Sequence, residues 1–272
     1  MNKAFFVKKN IFKKASTTYY YSSMFFTPEV KESVFTLYAF VRYADDLIDT
    51  IPPKKKEFAK LRKDIKIALA GTRVNIAIID DFAELARVKN FNPAWIFAFL
   101  DSMESDLTVK KYNTYKDLQK YMYGSAEVIG LFMSKIFNTP EVAYTYAKAQ
   151  GEAMQLINIL RDVDEDYKLG RQYMPIEDLK TYGTHIPPKP HEEANFCKLM
   201  RFEIDRYRAI QKVADKGHAY INRRFRIMVK TSAQMYLWTA RQIEKDPLIV
   251  FKRKVKPPKW YVILILLKNA LF

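Results

Sequence analysis

The amino-acid sequence predicts an all-α fold, and two observations support this prediction. The 272 residues include only 7 glycines and 12 prolines, too few for the many tight turns of an all-β protein. Apolar residues recur mainly at spacings of three and four, and the alternation typical of half-buried strands is scarce. Because 49% of the residues are hydrophobic, the chain can bury a large core. We therefore expect a single helical domain over residues 1–272, with a core of roughly 15–250 and a tail of 251–272.

The first clear helix is predicted between residues 28 and 50. Thr27 is a favourable N-cap, and Pro28 suits the first helical position. The prolines at 52–53 then end the helix. At helical spacing, one face carries Val34, Tyr38, Val41, Asp45 and Asp49. This face is aromatic and apolar at first and ends in two carboxylates one helical turn apart.

A second helix of similar design is predicted between residues 140 and 170. Pro140 again suits the first helical position, and Gly170 suits a C-terminal stop. The residues that share one face are Ala147, Gly151, Gln155, Asn158, Asp162 and Asp166. This face begins small and apolar and ends in amide and carboxylate groups, so it differs from a solvated acidic loop.

The two acidic helix ends predict a shared metal site. Carboxylates that project inward lose hydration and repel each other, so they need a counter-charge. Mg²⁺ meets this need, since it typically binds one or two protein carboxylates together with substrate phosphate oxygens. Two facing helices of this kind would hold several Mg²⁺ ions around a diphosphate.

The rest of the chain is predicted to form further amphipathic helices. Asp106, at the end of one of them, is expected to be a surface charge, and residues 181–195 are expected to form a surface loop. The predicted helices cover residues 54–70, 75–89, 93–106, 114–137, 196–217 and 219–245.

Three motifs resemble those of the squalene/phytoene synthase family. The D-x-x-x-D motif of that family is present from Asp45 to Asp49 and is preceded by Tyr38 and Arg42. The motif N-x-x-R-D-x-x-x-D occupies residues 158–166, and G-R-x-Y-x-P follows at 170–175. Both acidic motifs occur in the family's order and with matching flanks, which is far more specific than either alone. The resemblance extends over roughly residues 15–250.

The resemblance implies an isoprenoid-synthase-type helical bundle with a central substrate channel. Such enzymes join two prenyl diphosphates head to head (1′–1) through a cyclopropyl diphosphate intermediate, and they use several Mg²⁺ ions. The implied catalytic residues are Tyr38, Arg42, Asp45, Asp49, Asp162 and Asp166. The implied metal ligands are Asp45, Asp49, Asn158, Asp162 and Asp166. The implied substrate-binding residues are Ser16, Tyr19, Tyr121, Gln155, Asn158, Arg161, Arg171 and Arg253.

The sequence leaves the length of the prenyl chain open. We expect two geranylgeranyl diphosphates to give phytoene, because the short chain without an evident C-terminal membrane span is similar to bacterial and archaeal carotenoid enzymes. The alternative is farnesyl diphosphate, which would give dehydrosqualene or squalene. NADPH is expected only for a squalene synthase, and the lack of a glycine-rich dinucleotide motif decides little, since squalene synthases bind NADPH without one.

Glu127 departs from the family pattern. It lies in residues 121–130, which are similar to the family's Y-x-x-G-x-A-x-x-x-G region, and many relatives carry glycine at its position. Because a buried unpaired glutamate is costly, we expect Glu127 to pair with a cation or to point outward.

The basic composition permits several partners. The net charge of +16 suits nucleic acid, anionic lipid or diphosphate substrates. The lysines are scattered and no RNA-binding or zinc-finger signature occurs, so no nucleic-acid partner is expected. The tail, residues 251–272, is basic beside an apolar end and suits either a membrane-surface anchor or a last helix packed on the bundle. A non-catalytic, membrane-associated scaffold of the same fold is the alternative from another class.

The expected location is cytoplasmic, with peripheral contact with an anionic membrane left open. The single Cys197 excludes an intrachain disulfide and suits a reducing compartment. The N-terminal residues lack the long apolar stretch of a secretory signal, and no apolar run is long enough to span a membrane. The sequence does not indicate an oligomeric state.

Overall fold

The computed structural model describes residues 23–271, and the regular elements in that range are helical. The all-α prediction is confirmed, because the only β feature in the described range is an isolated bridge between Lys111 and Gln172. The α-helices are α1 (Pro28–Asp49), α2 (Lys55–Leu69), α3 (Ala77–Val88), α4 (Pro93–Ser105), α5 (Tyr115–Met122), α6 (Val128–Ile136), α7 (Tyr144–Arg161), α8 (Val163–Lys168), α9 (Ile176–Tyr182), α10 (Glu193–Lys216), α11 (Arg223–Lys245) and α12 (Lys259–Leu271).

The helix α1 begins as its sequence predicts. The Thr27 hydroxyl accepts a hydrogen bond from the backbone N–H of Val30 at 3.3 Å, and Pro28 occupies the first helical position. The helix ends at Asp49, so the carboxylates of the first acidic motif lie in its last two turns.

The second predicted helix is divided, so the prediction of one helix from 140 to 170 was wrong. A 3₁₀ turn, Glu141–Ala143, precedes α7, and Asp162 separates α7 from α8 with φ −99° and ψ 14°. Successive side chains on an α-helix diverge by about 100°. In a regular helix the side chains of Arg161 and Asp162 would therefore point in different directions. Their bidentate pairing fits the break in the helix at Asp162.

Two hydrophobic clusters form the core. The first joins α1, α2, α3, α4 and α6, and the rings of Phe40 and Phe82 stack in it with centroids 3.8 Å apart. The second joins α5, α7, α10 and α11 around the fully buried Tyr207. Since α6 packs on α7, the two clusters adjoin there. The prediction of one domain stays a prediction.

The backbone of α7 lies directly against its neighbours. A Cβ at Gly151 would lie 2.3 Å from the carbonyl oxygen of Ala126, and one at Gly130 would lie 2.2 Å from that of Ala147. Residues 123–127, between α5 and α6, form a π-helical segment that provides part of this contact. The small residues that the sequence shows in this region therefore permit close helix packing.

Candidate active site

An apolar cavity of about 330 Å³ lies between α1, α6, α7 and α11. Tyr38 lines it two turns before Asp45, and Gln155 lines it three residues before Asn158. Phe26, just before α1, and Phe137, just after α6, also line it, with their ring centroids 5.6 Å apart. The cavity therefore extends along α1 from these two rings towards the acidic end of the helix.

The first motif places three carboxylates in the last two turns of α1. Arg42 Nη1 donates to Asp45 Oδ2 at 2.8 Å, and Arg42 Nη2 lies 2.6 Å from Asp46 Oδ1. Burial, followed by the charge of Asp49, raises the pKa of Asp45 to about 6. Arg42 therefore offsets the crowding of these carboxylates only in part.

The second motif lies at the junction of α7 and α8. Arg161 donates to Asp162 through Nε at 2.8 Å and Nη2 at 2.5 Å. Burial opposes ionisation of Asp162, but Arg161 and Lys254 outweigh it and hold the pKa below its usual value. Burial and the charge of Asp162 raise the pKa of Asp166 to about 7. This motif thus combines one carboxylate stabilised as an anion with one that readily keeps a proton.

Arg171 connects the two motifs. Its Nη1 donates to Asp49 Oδ1 at 2.9 Å, and its backbone N–H donates to the carbonyl oxygen of Asp166 at 2.8 Å. Gly170 precedes it with φ +74°, a conformation that glycine adopts without strain. The turn after α8 therefore brings the acidic end of α1 together with that of α7 and α8.

The donor set fits a divalent cation. The side-chain Oδ1 of Asn158 is buried and has no hydrogen-bond partner among the described residues. No group of three or more His, Cys, Asp or Glu side chains in residues 23–271 forms a complete metal cluster. Mg²⁺ typically takes one or two protein carboxylates and completes its shell with phosphate oxygens and water. Asn158 and the four aspartates suit that kind of incomplete protein site.

Asp106 is a buried carboxylate that sequence reasoning missed. It is 5% exposed, so the expectation of a surface charge was wrong. Tyr173 donates to its Oδ1 at 2.9 Å and Tyr121 to its Oδ2 at 3.1 Å. Burial raises the pKa of Asp106, and the nearby charge of Arg171 opposes this. The predicted substrate-binding residue Tyr121 therefore holds Asp106 and does not line the cavity.

A basic residue of the tail reaches the second motif. Lys254 Nζ lies 3.3 Å from Asp162 Oδ1 and also contacts Glu165. The buried Val255 fixes this segment on the second hydrophobic cluster. The sequence singled out the adjacent Arg253, which is exposed. The tertiary register of the tail decides which of the two side chains faces the carboxylates.

The other predicted residues are placed as follows. Glu127 lies outside the cavity lining, where burial and then Glu152 raise its pKa to about 7 and Lys148 opposes them. Ser16 and Tyr19 lie outside the described residues.

The all-helical fold and the paired acidic helix ends beside an apolar cavity suit an enzyme whose substrate has an apolar chain and a charged group. The model of the squalene/phytoene synthase family matches residues 12–261 of this chain. The chain therefore belongs to the squalene/phytoene synthase family, whose enzymes condense prenyl diphosphates head to head.

Individual relatives are similar over most of their length. The 4,4′-diapophytoene synthase of Staphylococcus haemolyticus is 27% identical over 251 residues, which cover 86% of this chain and 85% of that protein. The 15-cis-phytoene synthase of Synechocystis sp. is 27% identical over 282 residues, which cover 95% of this chain and 82% of that protein. A solved dehydrosqualene synthase in complex with ligand has a TM-score of 0.86 at 26% identity, covering 99% of this chain and 96% of that one.

Proposed function

We propose that this chain is a Mg²⁺-dependent synthase that joins two molecules of geranylgeranyl diphosphate into phytoene through a cyclopropyl diphosphate intermediate. The observation that carries the proposal is the meeting of both acidic motifs, through Arg171, at one end of an apolar cavity. An apolar cavity suits a prenyl chain, and convergent charged groups at its end suit a diphosphate.

The metal ligands in this proposal are Asp45, Asp49, Asn158, Asp162 and Asp166. Bound there, Mg²⁺ would neutralise the negative charge that develops on the departing diphosphate. Two observations support this assignment. The buried side-chain oxygen of Asn158 has no hydrogen-bond partner among the described residues, and the charge of Arg171 only partly offsets the burial and the Asp162 charge that raise the pKa of Asp166.

The basic side chains have a second role in the proposal. Arg42, Arg161 and Arg171 each pair with a carboxylate of the two motifs. With Mg²⁺ bound to these carboxylates, the guanidinium groups would lie where they can donate to diphosphate oxygens, which arginine binds bidentately. Lys254, which contacts Asp162, would act in the same way from the tail.

The cavity walls protect the carbocation that forms when diphosphate leaves. Water would quench that cation to an alcohol, and the apolar walls exclude it. Tyr38 and Gln155 line the cavity near the carboxylates, where they can orient the substrate. Burial raises the pKa of Tyr38, so its hydroxyl keeps its proton at neutral pH while the ring face can stabilise positive charge.

The similarity to a diapophytoene synthase and to a solved dehydrosqualene synthase favours a second candidate. In that reaction the substrate is farnesyl diphosphate and the product is dehydrosqualene. Reduction to squalene would require hydride from NADPH as well.

Product analysis separates these candidates. The purified protein is incubated with Mg²⁺ and either diphosphate, with and without NADPH, and the hydrocarbon is identified by mass spectrometry. Phytoene from geranylgeranyl diphosphate is the expected result. If only farnesyl diphosphate is converted, and the product is dehydrosqualene, the second candidate is correct instead. No turnover of either substrate would reject both and favour a non-catalytic scaffold.

Matched variants test the assigned residues. Asp45→Asn and Asp162→Asn should each lower kcat on the order of a hundredfold, because each removes charge that acts on the leaving group. Glu32→Gln, an exposed acid on α1, should retain the wild-type rate.

A further inference from the structure

The outward face of α12 is apolar along its whole length. Its side chains are between 54% and 72% exposed, and they are Trp260, Ile263, Leu264, Leu267 and Leu271. At about 100° per residue, these positions fall within an arc of about 100°. The opposite face, with Val262 and Ile265, is buried. The helix is thus apolar on two faces, but only one of them packs on the protein. The other is an exposed apolar surface whose burial would be favourable.

Basic groups frame this apolar arc. Lys259 and Lys268 are exposed and lie at its two edges, about 180° apart around the helix axis. Residues 247–272 contain six Lys or Arg residues and no Asp or Glu. Trp260 lies at the N-terminal end of the arc, and its indole suits a boundary between apolar and wet surroundings.

We propose that this face of α12 docks on the surface of an anionic lipid membrane and lies in the plane of the headgroups. The lysine stems can follow the apolar surface while their ammonium groups remain among the lipid phosphates. Because its other face packs on the protein, α12 would rest on the membrane surface. In residues 23–271 no helix is long and apolar enough to cross a bilayer.

A second copy of the chain fits this face less well. Symmetric pairing through α12 would oppose two sets of basic residues, and the segment offers no acidic side chain to compensate them. An anionic membrane supplies both the apolar phase and the negative charge that the face requires.

The helix is held firmly to the rest of the protein. Asn269 Nδ2 donates to Thr231 Oγ1 at 3.1 Å and to Gln234 Oε1 at 3.0 Å, both on α11. Other residues of α11, including Met228 and Ser232, line the cavity. Docking would thus place the cavity one helix away from the lipid. If the proposed function holds, substrate and hydrocarbon product could exchange with the membrane over a short path, but docking itself does not depend on that function.

Flotation of the full chain with lipid vesicles tests the proposal. The wild type should float with vesicles that contain phosphatidylglycerol and much less with pure phosphatidylcholine. The double exchange Leu264→Gln with Leu267→Gln should weaken partitioning of the protein onto the vesicles on the order of tenfold, because it removes the central apolar contacts. The matched control exchanges two exposed valines elsewhere, Val88→Gln with Val142→Gln, and should float like the wild type.

Two further variants assign the cause. Lys259→Gln with Lys268→Gln should reduce the preference for anionic vesicles, and Asp45→Asn should float like the wild type even if it abolishes turnover. Thermal unfolding checks that each variant folds, and the single exchange Ile263→Gln replaces the double leucine variant if that variant does not fold.

Three results would overturn the proposal. These are a wild type that does not float with anionic vesicles, a leucine variant that floats unchanged, and a lipid-free dimer, seen by sedimentation velocity, that the leucine exchanges dissociate. The last result would assign the face to a second copy of the chain.

Discussion

At the scale of single residues, the motif carboxylates are compensated in different ways. Arg171 pairs with Asp49, and Arg161 together with Lys254 holds Asp162 as an anion. Asp45 and Asp166 are compensated less well, and burial raises the pKa of both. Basic side chains and bound protons therefore balance the charge of these carboxylates, and the divalent cations of the proposed function would displace the protons.

The stabilising effect of Mg²⁺ should grow between pH 6 and pH 8. The pKa is about 6 for Asp45 and about 7 for Asp166, so the native metal-free protein keeps protons that the unfolded chain, with ordinary values near 3.8, has lost. The stability of the metal-free protein therefore falls as pH rises through this window. Bound Mg²⁺ removes this loss, because it binds the deprotonated carboxylates.

Differential scanning fluorimetry with and without Mg²⁺ measures this effect. The Asp166→Asn variant should lose most of the increase with pH in the melting-temperature shift that Mg²⁺ causes, whereas Glu32→Gln should keep it. A melting-temperature shift that is constant or shrinks with rising pH would contradict the account.

Helical spacing identified Asp49 and Asp166, and the family resemblance added Arg171, and the structure brings these residues together. Neither identified Asp106 or Lys254. Asp106 ends a helix whose pattern also suits a surface charge, and only the fold places two tyrosine hydroxyls on it. Lys254 reaches Asp162 because the tail packs in one particular register, which local sequence does not determine.

At the scale of elements, the contact between α7 and the segment before α6 positions one cavity wall. The sequence predicted a helix over 114–137 with unusually small residues, but not the π-helical turn at 123–127. A π-helical turn contains about one residue more than the 3.6 residues of an α-helical turn. A pattern of hydrophobic residues does not resolve so small a difference. The sequence also did not predict the break at Asp162, because the motif residues keep helical spacing on both sides of it.

Gly151→Ala should destabilise the protein by about 1–3 kcal/mol, because the added Cβ would lie 2.3 Å from the Ala126 carbonyl oxygen. Circular dichroism during thermal and urea unfolding measures the change. Thr145→Ala, at an exposed position of α7, is the control and should change stability little. An unchanged or higher melting temperature for the glycine variant would show that the helices tolerate wider spacing.

At the scale of the whole molecule, the apolar cavity lies along α1 between an aromatic region and the acidic end of the helix. The helix α1 extends about 25 Å from Pro28 to Asp45, at about 1.5 Å per residue, with the carboxylates at one end. Phe26 and Phe137 line the cavity in the aromatic region, and the ring centroid of Phe137 lies 5.0 Å from that of Phe225. The sequence predicted the fold class and the acidic end, but the aromatic region is formed by residues far apart in the chain and lacks a local signature.

Phe26→Leu should raise turnover of geranylgeranyl diphosphate relative to farnesyl diphosphate, because a smaller side chain lengthens the space for the prenyl tail. Parallel assays with the two substrates give this ratio. Phe58→Leu changes a buried ring that does not line the cavity and should leave the ratio as in the wild type. An equal change in both variants would point to general loosening of the core.

Mg²⁺-dependent pyrophosphate binding, measured by calorimetry in a double-mutant cycle, tests most directly whether the two acidic motifs form one site. Asp45→Asn and Asp166→Asn should each weaken binding at least about tenfold, and their combined effect should be smaller than the product of the two, because both act on the same ions. Undiminished binding in either single variant, or effects that multiply independently, would contradict a shared site.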